Sequence, residues 1–96
     1  MRLVVVMCAG EHLEEVRRIV DEHEVQGYTE IPDIPGSGAT GRRMGTRAWP
    51  GTSSIIFTAV PDEMASRLID DLEAYRARCS PGEGIRAMVL PIDRMI

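Results

Sequence analysis

Leu3 to Cys8 reads Leu-Val-Val-Val-Met-Cys, an unbroken apolar run rich in β-branched valine. A half-exposed strand would alternate apolar and polar residues, so this run reads as a strand covered on both faces. Thr52 to Val60 has the same character, with Ile55, Ile56 and Phe57 contiguous. Two such strands in a chain of 96 residues must share one core, which predicts a single domain over residues 1–96.

The remaining segments supply what those strands pack against. Gly10 opens a helix whose first turn holds Glu11, Glu14 and Glu15, favourable beside a helix N-terminus. Leu13, Val16 and Val20 form one apolar stripe, and Glu11, Glu15, Arg18 and Glu22 form the wet side. Gly27 closes that unit. Gly27 to Ile34 alternates imperfectly and contains Pro32, which suits an edge strand. Pro61 ends the second apolar strand, and Asp62 is placed to N-cap a second helix running to about Arg78. Met64, Leu68, Leu72 and Tyr75 make its buried stripe, with Ala65 and Ile69 beside them. A turn, Ser80-Pro81-Gly82-Glu83-Gly84, precedes a last strand from Arg86 to Ile92.

The order β-α-β-β-α-β predicts an α+β, ferredoxin-like fold: a four-stranded antiparallel sheet with two helices on one face. Right-handed crossovers place the first and third strands in the middle, and those are the two most apolar. Two helices cover one face only. The other face, also apolar, is expected to be buried against further subunits.

Pro35 to Gly51 is a long loop with glycine at 36, 38, 41, 45 and 51 and arginine at 42, 43 and 47. No acid lies between Asp33 and Asp62, so the loop carries +3; the chain total of −4 therefore leaves −7 elsewhere. Backbone N–H groups freed by glycine, together with guanidinium forks, are how a site for a phosphate or other small anion is built. The acidic balance argues against nucleic acid as a partner. No apolar run approaches the roughly 18 residues of a membrane span, and the N-terminal run is too short for a signal peptide. The expected setting is cytoplasmic, without membrane insertion.

Other chemistry is not legible. Cys8 and Cys79 are too few for a disulfide framework and lack metal-ligand spacing with His12 or His23. Both read as buried thiols, and no residue is assigned to a metal. His12 and His23 stand about three turns apart on the first helix, too far to share an ion, and read as surface residues. Asp70-Asp71 and Glu14-Glu15 read as solvated helix faces. No nucleophile–base–acid set is recognisable, so the chain is not expected to be an enzyme.

Gly-Ser-Gly-Ala-Thr-Gly-Arg-Arg at 36–43, Gly-Thr-Arg-Ala-Trp-Pro-Gly at 45–51, and Gly-Glu-Gly-Ile-Arg with Val-Leu-Pro-Ile at 82–92 carry a resemblance. Over nearly its whole length the chain resembles the PII signal-transduction superfamily, and within it PII-like proteins outside the nitrogen-regulating branch. The resemblance implies a T-loop at 35–52 and a B-loop at 80–86. It also implies a homotrimer whose clefts take an adenine nucleotide (ATP, ADP or AMP), with bicarbonate as the alternative effector and no obligatory cofactor. Ligand contacts are then expected from Gly36, Gly38, Thr40, Gly41, Arg42, Arg43, Arg47, Gly82, Gly84 and Arg86. Arg42, Arg43, Met44 and Trp49 are expected to meet a target protein, such as a membrane transporter or an enzyme.

The chain departs from the family pattern in three places. Ile85 stands before Arg86 where the family places the basic residue directly. The loop tip has no tyrosine, which argues against uridylylation. The C-terminal segment that closes the nucleotide pocket in nitrogen-branch members does not follow the last strand, which implies a shallower pocket, weaker nucleotide binding or a smaller ligand. Two alternatives from other classes stand beside this reading. One is an oligomeric metal-binding or metal-tolerance protein whose ligands come from several chains. The other is an interaction module whose arginine loop docks an acidic partner.

Overall fold

A computed structural model describes residues 1–38, 41–48, 51–80 and 82–96. Strand β1 (Arg2–Ala9) leads through a 3-10 turn at Gly10–His12 into α1 (Leu13–Glu22). Then come β2 (Thr29–Ile34), β3 (Gly36–Gly38), β4 (Gly41–Arg43), β5 (Ser53–Val60), α2 (Asp62–Arg78) and β6 (Ile85–Pro91). The main sheet has the order β2-β5-β1-β6 with every neighbour antiparallel. This is the ferredoxin-like α+β arrangement, with the two apolar runs at its centre.

Strand alternation sorts the side chains between two faces. Val4, Val6 and Cys8 of β1, with Ile56 and Val60 of β5, pack in one core with Val16, Ile19 and Val20 of α1 and Ala65, Leu68 and Leu72 of α2. The intervening residues point the other way. The register sets Val5 between Phe57 and Met88, Met7 opposite Ile55, and Leu3 opposite Leu90. Met7, Ile31, Met88 and Leu90 on that side are exposed, so the sheet presents a broad apolar surface away from its helices.

The edge strand is held by a charge pair. Arg17 of α1 donates through Nε and Nη2 to the two carboxylate oxygens of Glu30 in β2, at 2.9 and 2.8 Å. Beyond Glu30 the strand bulges: its register against β5 shifts between Ile31 and Ile34, and Asp33 takes a positive φ of 56°. Pro32 cannot donate to a ladder, so an edge position and a bulge both suit it.

Three expectations need correction. The segment 35–51 contains order: Gly36–Gly38 pairs antiparallel with Gly41–Arg43, Gly36 opposite Arg43 and Gly38 opposite Gly41. Asp62 does not N-cap α2, because it is already the first helical residue. Its carboxylate turns to the Met1 amino group at 3.1 Å and to Arg2 Nε at 3.6 Å. His12 and His23 are not surface residues. His12 is buried, and the half-buried His23 has Nε2 2.7 Å from Asp71 on α2. Periodicity within α1 gives each position's angle around its own axis but not what the second helix brings alongside.

The Arg17 contacts hold the Glu30 carboxyl below its ordinary range. A carboxyl with a lowered folded-state pKa stabilises the fold at neutral pH, and that contribution fades as pH falls through the folded value. Glu30→Gln is therefore expected to lower the thermal midpoint at neutral pH. The gap from the parent protein should close in acid, as followed by circular dichroism at a series of pH values.

Candidate functional site

Antiparallel register decides which chain ends meet. Ala9, the last residue of β1, faces Ser53, the first of β5, while Cys8 faces Ile85, the first of β6. The base of loop 35–51 and the turn 80–84 thus come to one end of the sheet, although the whole segment 52–79 separates them. Backbone hydrogen bonds pin both. Ala9 N–H donates to Gly84 O at 2.7 Å, and Gly10 N–H donates to Thr52 O at 2.8 Å. Gly45 N–H closes the outer part of the loop onto Gly51 O at 2.8 Å.

Between them lies a cleft of about 470 Å³. Three arginines from three elements line it: Arg43 of β4, Arg76 of α2 and Arg86 of β6. Glu83 is the one carboxylate among the lining residues, and Met7 and Ile55 bring apolar surface from the sheet. Three guanidinium groups against one carboxylate make the cleft electropositive inside an acidic chain. Planar forks with several donors suit carboxylate, phosphate or carbonate oxygens.

The predicted site residues divide around this cleft. Gly36, Gly38, Arg43, Gly82 and Arg86 line it. Gly84 lies against Arg43, where an added Cβ would stand 3.2 Å from Nη1, a tight contact that a shift of the guanidinium by a few tenths of an ångström would relieve. Gly41 takes a φ of 105° at the start of β4, a conformation that L side chains rarely adopt. Arg42, Met44 and Arg47 are exposed on the loop and do not line the cleft. Thr40 and Trp49 fall outside the described residues. Arg76 was missed by sequence reasoning. It sits in the last turn of α2, where a basic residue ordinarily complements the helix dipole, and no local pattern marks it.

A second group of side chains sits behind the turn 80–84. His12 receives Tyr75 from the facing helix, with Nδ1 2.8 Å from the phenol oxygen and the rings edge-on at 5.8 Å. Its Nε2 is buried without a hydrogen-bond partner among the described residues and lies 3.7 Å from Glu83 Oε2. Glu83 Oε2 accepts the Ser80 N–H at 2.9 Å, and the Cys79 thiol donates to Tyr75 O at 3.4 Å. Burial, then the neighbouring Cys79, pushes the Tyr75 phenol up to about 12. Burial first, then Glu11 and Glu30, pushes the Cys8 thiol up to about 11. Cys79 is also raised, chiefly by burial, yet it is only half-buried.

The model of the family described as nitrogen regulatory protein P-II matches residues 1–95. The chain belongs to the P-II family. Among solved structures, this P-II chain is similar to CPII, a nitrogen regulatory PII-like protein from Thiomonas intermedia K12, bound to ADP, AMP and bicarbonate. The TM-score is 0.73 at 20% identity, covering 93% of this chain and 88% of that one. A PII-like signalling protein from Thermus thermophilus superposes with a TM-score of 0.66 at 23% identity, covering 92% and 82%. No curated protein matches it. No helix among the described residues of this P-II chain is long and apolar enough to cross a membrane.

The two thiols should be separable by access. Cys79 is expected to react with a water-soluble disulfide reagent in the native protein, and the buried Cys8 only after unfolding. Intact-mass analysis of the parent and of Cys79→Ser checks this: the variant should lose the native label.

Proposed function

We propose that this protein is a regulatory binding protein and not an enzyme, acting in the cytoplasm as an effector sensor. The observation that carries the reading is the convergence of Arg43, Arg76 and Arg86 on one cleft between loop 35–51 and the turn 80–84. The effector is a small anion, an adenine nucleotide in the first instance. Its phosphates meet the guanidinium groups and the glycine backbone at Gly36, Gly38, Gly82 and Gly84. Binding of ADP and AMP by CPII supports this. A second reading, bicarbonate, is favoured by the same relative, which holds bicarbonate together with ADP.

The apolar sheet face supports assembly into a homotrimer, whose neighbouring chains would complete each cleft. An effector shifts a conformational equilibrium only through its different affinity for the two states. Here the effector would favour the loop state in which Arg43 stays beside the turn at Gly84. The exposed Arg42, Met44 and Arg47 of the loop, together with Trp49, would engage or release a target protein such as a transporter or an enzyme.

Calorimetric titration with ATP, ADP and AMP, with and without Mg²⁺ and bicarbonate, tests the effector. Saturable binding is expected, weakened about tenfold or more by Arg43→Ala or Arg76→Ala, since a hydrogen bond to a charged group contributes about 1.5–3 kcal/mol. Silence across the panel from a folded protein overturns the nucleotide and bicarbonate readings together. For the assembly, light scattering should give three chains for the parent and one for Met88→Glu, which puts a charge on the apolar face. A monomeric parent would refute the trimer.

A further inference from the structure

We propose that His12, Cys79 and Glu83 form a binding site for a divalent transition-metal ion of the zinc class, built within one chain. A His12 ring nitrogen, Cys79 Sγ and a Glu83 oxygen all lie within 4.8 Å of one another. Around tetrahedral zinc, with Zn–N of about 2.0 Å and Zn–S of about 2.3 Å, donor atoms stand roughly 3.3–3.8 Å apart. Side-chain adjustments of about an ångström therefore close the set around an ion. His12 Nε2 and Glu83 Oε2, at 3.7 Å, stand within a few tenths of an ångström of the separation that an N and O pair on zinc takes.

A second observation points to a ligand independently. His12 is 7% exposed, and its Nε2 has no hydrogen-bond partner among the described residues. A buried polar atom left unsatisfied is destabilising, and a coordinate bond from the nitrogen lone pair would remove that cost. The opposite ring nitrogen is already engaged: Nδ1 lies 2.8 Å from the Tyr75 hydroxyl. With Nδ1–H donated to that oxygen, Nε2 is the free lone pair, the arrangement by which outer partners orient ligating histidines. Glu83 is oriented in the same way by the Ser80 N–H at 2.9 Å.

The donor set selects the metal. One imidazole, one thiolate and one carboxylate suit a borderline divalent ion, whereas calcium and magnesium prefer all-oxygen shells. Three protein ligands leave one position for water or another small ligand. Cys79 and Glu83 also border an open cleft of about 310 Å³, which gives the ion a path of entry. Binding exchanges the Cys79 S–H bond for an S–metal bond and releases one proton; no redox step is involved. The ion's ligands come from the 3-10 turn before α1, the residue that follows α2 and the turn 80–84. Their spacing of 12, 79 and 83 therefore matches no sequence motif.

The test uses the full chain stripped with chelator, with Co²⁺ alone as the probe and no nucleotide present, so it is independent of the effector reading. One Co²⁺ per chain is expected, with a thiolate-to-cobalt charge-transfer band in the near ultraviolet, and Zn²⁺ should displace it. Cys79→Ser should abolish the band. His12→Gln and Glu83→Gln should each weaken binding about tenfold or more, and Cys8→Ala should retain the band. Thermal unfolding of each variant separates loss of the site from loss of the fold. Absence of saturable Co²⁺ binding, or a thiolate band that survives in folded Cys79→Ser, overturns the proposal.

Discussion

Everything at the candidate-site end of this molecule depends on the antiparallel ladders that β1 makes on its two sides. Val4, Val6 and Cys8 can be buried only if β1 keeps its register with β5 and β6, since a slip of one residue turns the whole apolar set to the other face. That register brings Ala9, Ser53 and Ile85 to the same end of the sheet. The loop base and the turn 80–84 follow, because they are the chain immediately outside those residues. Core burial thus positions a site that contains almost none of the core.

Charge is arranged around this frame. The chain carries −4 overall, yet three of its arginines border one cleft. Arg17 and Arg18, by contrast, are committed to helix and edge-strand carboxylates: Arg17 to Glu30, and Arg18 to Glu15 and Glu22. Glu83 belongs to two neighbourhoods at once. It is the single acid lining the arginine cleft, and it faces the buried Nε2 of His12. Its backbone N–H donates to Ser80 O at 3.1 Å while its carboxylate receives Ser80 N–H, a reciprocal pair that shapes the turn. A ligand on either side of Glu83 therefore acts on the same short piece of backbone.

Much of the fold was legible because its signals are local. Continuous apolar runs marked β1 and β5, and spacing of three and four marked the buried stripes of α1 and α2. The bounds read for the four main strands differ from those in the structure by one or two residues, and β3 and β4 were not read. The site was legible in part. Glycine and arginine clustering pointed to Gly36, Gly38 and Arg43, and the Gly-acid-Gly turn pointed to Gly82 and Gly84. Arg76 escaped because nothing within its helix distinguishes a dipole-complementing arginine from a ligand-facing one. His12 was misread for a related reason: its burial comes from Tyr75 and Glu83, which are 63 and 71 positions away.

By itself, the sequence determined the element order, the two central strands, the apolar second face and the isolated basic loop, since each rests on neighbours within a few positions. Tertiary structure alone decided which distant groups meet. Helix packing set Tyr75 against His12, and the return of the chain after α2 set Cys79 and Glu83 beside it. The β3–β4 pairing aimed Arg43 at Gly84. Such contacts depend on distances across the folded chain, and no periodicity along it encodes them.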